Sequence, residues 1–317
     1  MALPFAGGRH HTVPIQPKPR PSGYQQGATM FVSDQLIFTE LHKTGGSHIL
    51  RCLEAIIDGQ RIGKHNRVPE GLRDRFVIGS IRNPWDWYVS LWGYGCAQRG
   101  GVFARTTQRY NPSYYWRQLN KEMGTTWLPP MHYVRQIVSD TSKPVHDWQA
   151  VYNNSRDPIL FRRWLKMILT PERRFDVGEG FGFSKISHHS GLLTYRYFKL
   201  FTDLDAALYT SEALTSRSNL KSIFEAKMFV NHVIRNEKLE ADLISGLEKA
   251  GIRLTDDQKA DIYSAKSQKT NTSDRKGVEY YYDQESIELV AERESLVIDI
   301  NNYEAPQIPH QQQGELK

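Results

Sequence analysis

The segment Ile37–Leu50, IFTELHKTGGSHIL, constrains the fold more than any other. An apolar run suited to a buried strand, Gln35–Leu41, leads into Lys43, Thr44 and two adjacent glycines, Gly45 and Gly46. From Ser47 to Ile57 the apolar residues Ile49, Leu53, Ile56 and Ile57 then fall on one face of a helix. Ser47 is the expected N-cap. Such a corner is a ready anion site. The first N–H groups of a helix lack backbone partners and point outward, where the helix dipole adds partial positive charge. The glycines let the backbone curl so that several N–H groups converge. Lys43 adds a full charge, and Thr44 and Ser47 offer hydroxyl donors.

The same grammar recurs along the chain. RFVIGSI (Arg75–Ile81) reads as a second buried strand and runs into RNPWDWYVSLWGY. There Pro84 suits the first turn of a helix, and Trp85, Tyr88, Val89 and Trp92 form an apolar stripe for packing rather than for ligand. Pro158–Leu169 and Leu192–Phe201 read as helices. Phe229–Ile234 reads as a strand, followed by a helix with Leu239, Leu243 and Leu247 on its face and Gly251 at its end. A last amphipathic helix covers about Glu285 to Ile300. Strands separated by helices predict an α/β fold, a parallel β-sheet flanked by helices. Residues 95–155 are less regular and rich in aromatics. Residues 1–30 carry five of the fifteen prolines and read as a flexible N-terminal arm. Residues 31–305 read as a single domain with a loop-rich insertion, and 306–317 as a flexible tail.

Composition narrows the function classes without choosing one. Lys and Arg number 41 against 35 Asp and Glu, a net charge of +6, which suits an anionic ligand, nucleic acid or an acidic polysaccharide. Two cysteines, Cys52 and Cys96, make no disulfide framework and fit a reducing compartment. No window approaches 18 consecutive apolar residues, and the N-terminal segment lacks the apolar core of a signal peptide. The expectation is a soluble, cytoplasmic protein.

A Walker A loop reads G-x-x-x-x-G-K followed by serine or threonine, with its lysine after the glycines. Here the lysine comes first. HKTGGSHI instead resembles the 5′-phosphosulfate loop of sulfotransferases that use 3′-phosphoadenosine 5′-phosphosulfate (PAPS), in which a proline precedes K-T. IRNPWDWYVSLW is similar to their 3′-phosphate motif, with Arg82 at a strand end and Ser90 eight residues on. VNHVIRNEKLEADL and the C-terminal run from Lys269 to Glu304 are similar to further segments of bacterial and carbohydrate-type members. In order and spacing these pieces frame roughly residues 33–305.

The resemblance implies a P-loop-like sulfotransferase fold and an in-line transfer of a sulfonate from PAPS to a hydroxyl or amine. The product nucleotide would be 3′-phosphoadenosine 5′-phosphate (PAP), and no metal is expected. Backbone N–H groups of residues 44–48 (Thr44, Gly45, Gly46, Ser47, His48) would hold the 5′-phosphate. Lys43 would neutralise the bridging oxygen, and Arg82 and Ser90 would grip the 3′-phosphate. Thr272, Ser273 and Lys276 would face the nucleotide. The partner implied is a carbohydrate or small-molecule acceptor, with neither nucleic acid nor membrane. Three departures stand out. His42 replaces the proline before the lysine, and Trp87 stands where an arginine is common. DRKG (Asp274–Gly277) matches a basic triplet of the other, small-molecule branch, and its surroundings argue for coincidence.

A general base must take the acceptor's proton, and histidine is tuned for this near neutral pH. Among eleven histidines, His10 and His11 lie in the arm, His42 and His48 flank the loop, and His132 and His146 lie in the irregular region. His188 and His189 precede a helix in the acceptor region and lead as base or acceptor contact, with Glu40 as rival. Glu237, at a strand end, reads as structural. A nucleotide-dependent kinase and a non-catalytic polyanion-binding module are the competing functions.

Overall fold

The computed structural model describes residues 30–62, 67–109, 130–265 and 275–308. At its centre five strands form one sheet in the order β3-β1-β2-β4-β5. They are β1 (Met30–Val32), β2 (Leu36–Glu40), β3 (Gln60–Ile62), β4 (Phe76–Ile81) and β5 (His232–Arg235). β2 pairs parallel with β4, and β4 parallel with β5, whereas β1 runs antiparallel to both β2 and β3. The sheet is therefore mixed rather than wholly parallel. The cause is a three-residue link. Ser33 N and Ser33 Oγ both donate to the Leu36 carbonyl, closing a turn far too short for a parallel crossover. Met30, assigned to the arm on sequence grounds, is 3% exposed and belongs to β1.

Alternation along β2 feeds two cores. Leu36 and Phe38 pack on one face with Ile49 and Leu53 of α1 (Gly46–Ile56) and with Leu243 and Leu247 of the helix Leu239–Lys249. Ile37, with Val77 and Ile81 of β4, joins the larger core on the other face. That core holds Trp85, Tyr88 and Trp92 of α2 (Pro84–Cys96), each at most 2% exposed, so the stripe packs as expected. Gly79 of β4 lets the Phe201 ring approach the strand; a Cβ there would lie 2.4 Å from the ring.

Pro158–Leu169 and Leu192–Phe201 are helices with the expected ends. Elsewhere tertiary contacts move the boundaries. β5 begins at His232, because Asn231 imitates a strand residue with its side chain: Val77 N donates to Asn231 Oδ1 at 2.7 Å. Among the described residues, 95–155 carry three helices beyond α2, Gly101–Thr107, Pro130–Ser142 and Val145–Ala150. The last amphipathic segment is two helices, Gln284–Arg293 and Ser295–Asn301, and the break has a purpose. Glu294 is fully buried and caps the helix Leu192–Phe201, accepting from Leu193 N at 3.2 Å and Thr194 N at 2.7 Å. It also accepts from Thr194 Oγ1 at 2.6 Å and from the Tyr88 hydroxyl. The neighbouring Arg293 donates to the carbonyls of Ser187, His188 and Ser190. Ile308 packs on the larger core, so residues 306–308 of the predicted tail lie on the fold.

Removing a buried carboxylate strands every donor aimed at it. Glu294→Ala should lower the unfolding free energy by about 3 kcal/mol in urea titration, and Glu294→Gln by less. A loss within error of zero for the alanine variant would rule out this capping role.

Candidate functional site

The register of β2 on β4 sets Glu40 opposite Ser80, so the two strands end side by side. Each is followed by a helix, and the two corners meet. Arg82, just past β4, donates from Nη1 to the carbonyl oxygen of Lys43 at 3.2 Å. Trp87 of α2 donates from Nε1 to the carbonyl of His42 at 2.7 Å. Thr44 donates to Leu41 O at 2.6 Å and shares a 2.6 Å hydrogen bond with Ser80 Oγ. Four bonds thus clamp the Leu41–Thr44 loop.

The glycine pair behaves as its chemistry predicts. Gly45 is left-handed with φ 89°, and a Cβ on it would lie 2.6 Å from Leu239 Cδ1 and 2.7 Å from Asn236 Nδ2. Gly45, not Ser47, is the N-cap of α1, and the Ser47 side chain is exposed. The left-handed turn already supplies the cap geometry that a serine side chain would otherwise provide. The N–H groups of Thr44, Gly45, Gly46 and Ser47 donate to no acceptor among the described residues. They form the cluster of free donors that an anion cradle needs. The Thr44 hydroxyl, by contrast, is committed to Leu41 and Ser80, so it is not the ligand donor expected of it.

Charge gathers at this corner. Asp86 and Ser90 stand four residues apart on one face of α2, and Arg82 precedes the helix by two residues. Asp86 accepts from Arg82 Nε at 2.6 Å through Oδ2 and from Arg275 Nη1 at 2.6 Å through Oδ1. Burial pushes the Asp86 carboxyl up, yet Arg82 and Arg275 hold it below the usual carboxylate range. One carboxylate therefore organises two guanidinium groups. Lys43, itself at φ 67°, carries its ammonium 4.1 Å from the centroid of the Tyr94 ring. Burial, then the like charges of Arg82 and Arg275, pull its pKa down to about 8, while Glu40 opposes them. Arg82 is depressed in turn, first by burial and then by Arg275, with Asp86 opposing.

The predicted residues divide accordingly. Lys43, Gly45, Gly46, Arg82 and Glu40 come together: Glu40 is 8% exposed, and its carboxyl carbon lies 2.0 Å from where a Gly46 Cβ would stand. Ser90 is 7% exposed on the Asp86 face. His48 turns toward the helix Leu239–Lys249, with Nε2 3.6 Å from Glu240 Oε1. Lys276 is exposed, and only its backbone N–H bonds, to Tyr281 Oη at 3.1 Å. Thr272, Ser273, His10, His11 and residues 110–129 of the aromatic stretch lie outside the described residues. Glu237 is structural, accepting from Asn83 N at 2.7 Å at the head of α2.

The two favoured histidines are not brought to the corner. Both line a cavity with Lys166, Pro171 and Arg293, none of them a residue of the corner. Both ring nitrogens of His189 are engaged, Nδ1 with Ser190 Oγ at 3.1 Å and Nε2 with Leu214 O at 3.0 Å. His188 is exposed. His132 lies 5.0 Å from the Phe183 ring, and His146 is exposed. Three residues of the corner escape the sequence reading. Asp86 could have been found from its i,i+4 spacing to Arg82 and Ser90. Arg275 belongs to DRKG, and its bond to Asp86 counts against dismissing that run. Tyr94 leaves no local signal.

No family model, no curated protein and no solved structure matches the chain. Among the described residues, no helix is long and apolar enough to cross a membrane.

The depressed lysine has a stability consequence. Its folded pKa of about 8 lies below the ordinary 10.5, so the unfolded chain binds more protons between those values. Unfolding free energy should therefore rise with pH across that window in the wild type relative to Lys43→Met. Parallel pH–stability curves for the two proteins would show that Lys43 is not perturbed.

Proposed function

We propose that the protein is a PAPS-dependent sulfotransferase with the P-loop-like fold of that family. The observation that carries the reading is the contact between the corners. Arg82 touches the backbone of the glycine loop, so one cradle of free N–H groups and one cluster of cations open together. A nucleotide phosphorylated at both its 5′ and 3′ ends suits such a pair. Four unpartnered N–H groups and Lys43 suit the 5′ end, and Arg82, Arg275 and Ser90 suit the 3′ end.

PAPS would supply the activated sulfonate. The residues of the chain do the rest by position and charge, as in phosphoryl transfer. The amides at Thr44–Ser47 would fix the 5′-phosphate without reorganising. Lys43, raised over the loop by its left-handed backbone, would place its ammonium at the oxygen where negative charge develops. Asp86 would hold Arg82 and Arg275 with their forks preset, so that little side-chain entropy remains to be lost on binding. Glu40 acts electrostatically on the lysine and is favoured over His188 and His189 as the proton acceptor. A hydroxyl or amine of a carbohydrate or small molecule is the acceptor class.

Thermal denaturation with PAP and with ATP tests the nucleotide. PAP should raise the midpoint, and at a concentration 100 times Kd the gain is about 2.7 kcal/mol. ATP, lacking a 3′-phosphate, should do much less, and equal shifts would defeat the reading. Arg275→Ala should weaken PAP about tenfold or more, as loss of a charge-assisted hydrogen bond does. With labelled donor and an acceptor panel, Lys43→Ala should slow transfer by about 100-fold or more while the fold survives. Undiminished turnover would remove Lys43 from the mechanism.

A further inference from the structure

A second cationic centre lies apart from the corner. Arg135 stands on the helix Pro130–Ser142, Arg174 follows the 3-10 turn Pro171–Arg173, and His188 ends the 3-10 turn Lys185–His188. The guanidinium carbons of Arg135 and Arg174 lie 4.8 and 4.6 Å from the centroid of one ring, that of Phe175. A ring face attracts a cation, and the nearly buried Phe175 thus anchors two. Burial and Arg135 depress Arg174, with Glu172 opposing them and Arg293 adding to them. Burial, then Arg174 and Arg135, depress His188.

Little in the protein answers this charge. Among the described residues, no carboxylate comes within 4.0 Å of a nitrogen of Arg135 or Arg174. Arg174 Nη1 donates to Pro171 O at 2.6 Å, but its Nε is enclosed and has no partner. Arg293 spends its terminal nitrogens on the carbonyls of Ser187, His188 and Ser190, and so fixes where His188 stands.

Crowded cations with unused donors are what an oxyanion relieves. It accepts paired hydrogen bonds from guanidinium forks and cancels their mutual repulsion. We propose that Arg135 and Arg174 bind an oxyanion, a carboxylate, sulfate or phosphate, carried by the acceptor. The assignment to the acceptor rests on the sulfotransferase reading; the anion site itself does not. An acceptor so held is acidic, in keeping with the net charge of +6.

The test is calorimetric titration of the full chain, saturated with PAP so that Lys43 and Arg82 are already engaged. The probes are a sulfated disaccharide, its unsulfated counterpart and sodium sulfate. The sulfated sugar should bind, and the Arg135→Gln/Arg174→Gln protein should bind it at least tenfold more weakly. The unsulfated sugar should bind neither protein. Arg135→Gln alone, at an exposed position, should weaken binding several-fold and keeps the test valid if the double variant misfolds. Equal affinity in wild type and variants overturns the site. Displacement of the sugar by an equal concentration of sodium sulfate overturns the assignment to the acceptor and leaves a site for free oxyanions. If PAP does not bind, the sulfotransferase reading fails, and the same titration without nucleotide still reads the anion site.

Discussion

The structure of the site depends on one register. Parallel pairing of β2 with β4 sets Glu40 beside Ser80, and the chain leaves both strands at the same edge of the sheet. From there Thr44 bonds Ser80, Arg82 bonds the Lys43 carbonyl, and Trp87 bonds the His42 carbonyl. A slip of one residue would turn Thr39 and Leu41 onto the face that Glu40 now takes and would separate all three contacts. The crevice at the carboxyl ends of parallel strands is where α/β sheets tend to bind ligands, because helix N-termini face it.

The corner is also a place of stored electrostatic cost. Lys43, Arg82 and Arg275 act on one another, and Asp86 is the carboxylate that bonds both guanidinium groups. The backbone adds to the cost, with Lys43 at φ 67° beside Gly45 at φ 89°. Left-handed non-glycine residues and crowded cations persist where the surrounding structure holds them, and both are typical of sites prepared for an anion. The holding structure is the apolar mass behind α2, where Trp85, Trp87, Tyr88 and Trp92 are at most 2% exposed.

Arg293 and Glu294 play a comparable role behind α2, where Tyr88 donates to Glu294. One side chain binds three carbonyls of the Ser187–Ser190 loop, and the other caps the helix that follows it. Gly191 is required between them, since a Cβ there would fall 2.0 Å from Glu294 Oε1. The helix break at Glu294 and the placement of His188 are thus two views of one contact.

What the sequence by itself determined is local. Period-2 and period-3.6 patterns located β2, β4, α1, α2 and the helices Pro158–Leu169 and Leu192–Phe201, because backbone periodicity fixes which residues share a face. The glycine pair marked the turn between β2 and α1, because glycine adopts a left-handed backbone with the least strain. The tertiary structure decided everything that joins distant segments. It made β1 an antiparallel strand, broke the last helix at Glu294, brought Arg275 to Asp86 across 189 residues of chain, and set Glu40 rather than His188 or His189 beside Lys43. These outcomes turn on which buried donors and charges find partners, and local periodicity carries no record of that.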